Sequence, residues 1–69
     1  MTVYVILCRY QYWGPDGIAW TKWYIYKDGI PTKKDGEEYL ETLVEGSKKD
    51  KLKQEYELVT KGELKNFEL

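Results

Sequence analysis

The sequence predicts a small α+β domain. It reads as a three-stranded antiparallel sheet connected ββαβ in spatial order 2-1-3, with one helix on one face and a short helix at the C-terminal end. Three observations carry this. Two runs rich in β-branched and aromatic residues are joined by Gly14-Pro15-Asp16-Gly17, one stretch after Pro31 has helical periodicity, and one later run alternates apolar with charged residues.

Thr2 to Trp13 and Ile18 to Lys27 are the first two strands, neither interrupted by Gly or Pro. In the turn between them, proline presets φ at the first central position and Asp16 suits the second. Gly17 is free to take a left-handed conformation, which predicts a three-residue loop with Gly14 opposite Ile18. Asp28-Gly29-Ile30-Pro31 ends the second strand, because Pro lacks a ladder donor. Thr32, with Asp35 three residues on, predicts a helix cap. Tyr39, Leu40, Leu43 and Val44 share one helical stripe, and Gly46 is the expected C-cap, giving a helix over Lys33 to Glu45. Gly36 weakens that helix by about 1 kcal/mol relative to alanine. Ser47 to Lys53 is a lysine-rich connection, Gln54 to Val59 the third strand, and Thr60-Lys61-Gly62-Glu63 has capping-box spacing for a terminal helix over Leu64 to Leu69. Strand one, the most continuously apolar segment, belongs in the middle with strand three antiparallel beside it.

Sixty-nine residues form a single domain over residues 1–69. No apolar run approaches the ~20 residues of a membrane span and no leader-like segment begins the chain, so a cytoplasmic protein is expected. One cysteine cannot staple the fold, and the absence of histidine removes the commonest zinc ligand, so neither metal nor cofactor is expected. No Ser-His or Cys-His pair, calcium-loop spacing or phosphate-binding glycine pattern is present, and the chain reads as no enzyme. Eleven basic residues against twelve acidic leave a net charge of −1, far from the footprint of a duplex binder.

The aromatics are lopsided, since eight of eleven lie in the first thirty residues. With Gly14 opposite Ile18, strand parity puts Val3, Val5, Leu7, Trp23 and Ile25 on one face, expected to lie beneath the helix as the core. The even face carries Tyr4, Ile6, Cys8, Tyr10, Tyr12, Ile18, Trp20, Lys22, Tyr24 and Tyr26. One long helix cannot cover two apolar faces, so the even face is expected to bind a protein partner or a second copy in a homodimer, through Tyr4, Tyr10, Tyr12, Trp20, Lys22, Tyr24 and Tyr26. Two alternatives stand beside this. The terminal segment with Leu64, Phe67 and Leu69 folds over that face instead, or the rings stack single-stranded nucleic acid while Arg9, Lys22, Lys27 and the Lys48 to Lys53 run follow its phosphates.

The aromatic hairpin, the run TKKDGEEYLETL and the ending YELVTKGELKN resemble many small proteins of phages and other mobile elements. The resemblance is one of general pattern. It implies an accessory protein that binds and inhibits a host protein such as a defence component, and it assigns a role to no individual residue.

Overall fold

A computed structural model describes residues 2–49, 51–67 and 69. The strands are β1 (Tyr4–Gly14), β2 (Gly17–Trp20), β3 (Tyr24–Ile30) and β4 (Gln54–Thr60); α1 spans Lys33–Ser47 and a terminal 3-10 helix spans Lys61–Asn66. β1 is central. β2 and β3 follow each other along one side of it and β4 pairs antiparallel on the other, so the expected 2-1-3 order holds, with the second strand divided in two.

That division has a local cause. The Thr21 N–H donates to the Tyr10 carbonyl at 2.9 Å while the Tyr10 N–H donates to Thr21 Oγ1 at 3.1 Å, so a side chain takes the place of a ladder carbonyl and the chain steps out over residues 21–23. The step changes the register. At the tip the loop is two residues, Pro15 and Asp16, rather than the expected three, so Gly14 pairs with Gly17, Trp13 with Ile18, Tyr12 with Ala19 and Gln11 with Trp20, one residue away from the expected alignment, with Gly17 at φ +117. Beyond the step Cys8 pairs with Tyr24 and Leu7 with Ile25, as the expected alignment has it. Two further shifts then bring Lys27 opposite Ile6 and Ile30 opposite Tyr4.

The helix lies on the even face, which corrects the expected assignment of faces. An added Cβ on Gly36 would sit 2.5 Å from Leu58 Cδ1, and Leu58 pairs with Ile6 on that face. The Lys27 ammonium stands 5.8 Å from the Tyr39 ring, another helix-to-even-face contact. The cause lies in β3. Its second register shift, with Gly29 at φ +75, delivers Ile30 buried opposite Tyr4, and Pro31 then starts the helix from that side. Gly36, read from sequence as a weak point, is the one buried residue of the helix and lets its backbone approach the sheet. Thr32 caps as expected, accepting from the Asp35 N–H at 3.1 Å. Gly46 does not cap, because the helix continues through Ser47 to a C-cap at Lys48.

The odd face has a cover of its own. Val5, Leu7 and Val59 are buried beneath Trp23, Leu64 and Phe67, with Trp23 and Phe67 edge to face at 5.7 Å. The terminal segment thus closes the face opposite to the one considered in the sequence, as a 3-10 helix over Lys61–Asn66 rather than a helix over Leu64 to Leu69; Glu68 lies outside the described residues. The Glu63 carboxylate starts it, accepting from the Thr60 N–H at 3.0 Å and from Thr60 Oγ1 at 2.8 Å. The backbone bond first, then the hydroxyl, hold Glu63 below the usual carboxylate range. The contact is therefore present above the unfolded carboxylate pKa and is lost as pH falls through the folded one.

Gly36→Ala tests the close approach. Helix propensity alone favours alanine by about 1 kcal/mol. The clash with Leu58 outweighs it, and urea unfolding is expected to show a net loss of about 1–2 kcal/mol. Combining it with Leu58→Val should cost less than the two single changes added.

Candidate interaction surface

Four of the seven residues expected to bind a partner share one exposed surface. Tyr10, Tyr12, Tyr24 and Tyr26 each keep 40 to 44% of their surface accessible. Tyr10 and Tyr24 meet edge to face at 6.2 Å, and Tyr26 meets Tyr56 of β4 likewise at 5.9 Å. Such contacts fix the rings at about 0.5–1.5 kcal/mol each beyond their burial. Tyr26 lies between Ile25 and Lys27, where the register shifts, and keeps its ring against Tyr56 on the even face. The helix leaves these rings open because it packs chiefly along β4 and β1.

The other three residues stand apart. Tyr4 is half-buried between Ile30 and Thr60, its partners on either side. Lys22 is exposed in the step between β2 and β3. Trp20 has moved to the odd face because the tip is shifted by one residue: it pairs with Gln11, and the Arg9 guanidinium lies 4.6 Å from its ring and 4.9 Å from that of Trp23. Arg9 Nη2 also donates to both carboxylate oxygens of Glu55 at 3.0 Å, so this cation is engaged within the odd face, away from the tyrosines.

Sequence reasoning passed over the most exposed aromatic of all. Trp13 keeps 73% of its surface accessible beside its cross-strand partner Ile18 at 50%. Both lie on the hairpin tip, past the end of β4, whose ladder with β1 stops at Tyr10↔Gln54 and is extended by the Gln11 N–H to the Lys53 carbonyl at 3.0 Å. The sequence signal is a mismatch of lengths, twelve residues from Thr2 to Trp13 against six from Gln54 to Val59. The molecule is 44 Å long, and eleven residues of β1 at ~3.3 Å each account for about 36 Å of it.

Among the described residues no three histidine, cysteine or acidic side chains gather where a metal could sit, and no helix is long and apolar enough to cross a membrane. Cys8 is buried and directly opposite Tyr24. In comparisons with known proteins, no family model, no curated protein and no solved structure matches this chain.

A side-chain hydrogen bond with Cys8, and after it desolvation, raise the Tyr24 phenol well above the ordinary tyrosine value. A raised folded pKa gives stability that is complete below the unfolded value near 10 and is lost as pH rises past it. Spectrophotometric titration should show one tyrosine ionising after the others, and Tyr24→Phe should abolish that late component. Ionisation of all tyrosines in a single step in the folded protein would contradict it.

Proposed function

We propose that this protein is a non-enzymatic protein-binding module that docks a different protein on the tyrosine face of its hairpin, through Tyr10, Tyr12, Tyr24 and Tyr26. The observation that carries this is the set of four half-exposed tyrosines, three of them in edge-to-face contacts, side by side on a face the helix leaves open. Tyrosine offers much apolar area with few rotatable bonds, and rings already in contact lose little freedom on binding. Their hydroxyls suit the backbone carbonyls of a folded partner. The finer reading, an accessory protein of a phage or mobile element that inhibits a host defence protein in the host cytoplasm, follows from the general resemblance of the hairpin and the TKKDGEEYLETL run and from nothing more specific.

The double variant Tyr12→Ser/Tyr26→Ser tests the docking face. Wild-type protein immobilised in host extract is expected to retain a specific protein, and the variant to bind that same protein at least tenfold more weakly, as loss of hot-spot residues does. Its far-UV circular dichroism should be unchanged. Equal affinity of the folded variant, or no retained protein, overturns the proposal.

A further inference from the structure

The outer edge of β2 carries unused backbone groups of known direction. Thr21 N–H bonds to the Tyr10 carbonyl, while the Gln11 N–H turns to the other side and bonds to Lys53. In an antiparallel ladder bonded and non-bonded pairs alternate. Tyr12 and Ala19 therefore form a bonded pair, whereas the N–H and C=O groups of Ile18 and Trp20 point away from β1 into solvent. Exposed edges are ordinarily guarded by charge, proline or bulges. β3 has two register shifts with Lys27 and Asp28, and β4 has Glu55 and Glu57. β2, Gly17-Ile18-Ala19-Trp20, has none of these guards.

We propose that this edge pairs with the same edge of a second copy of the chain, antiparallel about Ala19, joining two sheets into one. Rotation about a two-fold axis perpendicular to the sheet and midway between the two facing Ala19 residues keeps each face continuous and places Ile18 opposite Trp20 of the other copy. These are the two residues whose backbone groups point outward, so each exchanges N–H···O=C bonds with its opposite number. The same register places Thr21 opposite Gly17 and brings Asp16, the only charge of the turn, opposite Lys22, the first charge after the strand. The charges thus complement each other twice across the symmetry axis. Centring the pair on Ile18 would set Asp16 against Trp20 and leave Lys22 without a counterpart. Ile18, beside Trp13 on the odd face, gains cover from the facing Trp20 of the other copy. The paired segment is short, so the dimer is weak and concentration-dependent. This contact uses the rim of the hairpin and does not rest on the tyrosine-face reading.

Sedimentation equilibrium over micromolar to millimolar concentrations tests it. Wild type is expected to dimerise reversibly. Ile18→Pro, which removes only an outward-facing donor, should remain monomeric. Asp16→Lys alone and Lys22→Asp alone should each weaken dimerisation about tenfold, because two attractions become repulsions. An equimolar mixture of those two variants should restore it, since every facing pair is again opposite in sign. Should Ile18→Pro fail to fold, the charge variants and their mixture decide. A strictly monomeric wild type, dimerisation of folded Ile18→Pro equal to wild type, or a mixture no tighter than the single variants overturns the proposal. Dimerisation abolished by Tyr12→Ser/Tyr26→Ser but untouched by the charge variants would assign self-association to the tyrosine face and overturn it as well.

Discussion

The fold depends on a central strand that is apolar on both of its faces. Val5 and Leu7 point one way, Ile6 and Cys8 the other, and all four are essentially inaccessible to water. Full burial of an aliphatic side chain contributes about 1.5–3 kcal/mol, an upper range in so small a protein. That contribution requires a cover on each side of the sheet. The chain supplies two of unlike construction. α1 crosses the even face with a glycine against Leu58, and Trp23, Leu64 and Phe67 close the odd face with aromatic bulk.

The flanking strand β4 and the 3-10 helix both end before β1 does. β4 pairs with β1 only as far as Tyr10, and the 3-10 helix sits at the opposite end of the sheet, following β4. The hairpin tip therefore extends beyond the packed body with Trp13 and Ile18 on one face and Tyr12 on the other. An isolated two-stranded ribbon is marginal in water, so these side chains stabilise the monomer little. The tyrosine face offers ring area fixed in place and the β2 edge offers backbone groups, so one hairpin presents two chemically different surfaces.

Much of the architecture was legible in the residues. The central position of the Val3 to Cys8 run, the place of the Gly14 to Gly17 turn though not its loop length, the Thr32 cap and the Thr60/Glu63 box were all readable from the residues themselves. The face taken by the helix was not legible. It follows from the two register shifts in β3, which have no distinctive composition. A one-residue change at the tip carried Trp20 from the tyrosine face to Arg9 and Trp23. Tyr10 and Tyr12 share their face by alternation along β1, and Tyr24 joins them because the step over residues 21–23 returns Cys8↔Tyr24 to the expected alignment. The second cover was considered in the sequence but set against the wrong side, for the same reason.

Native-state amide hydrogen exchange on the dilute monomer tests directly whether a doubly covered strand extends into a bare arm. The slowest amides are expected within Val5 to Cys8, with Ala19 protected and its neighbours Ile18 and Trp20 exchanging close to the rate of unstructured chain. Uniform protection across Ile18, Ala19 and Trp20, or exchange in Val5 to Cys8 as fast as at the tip, would contradict it.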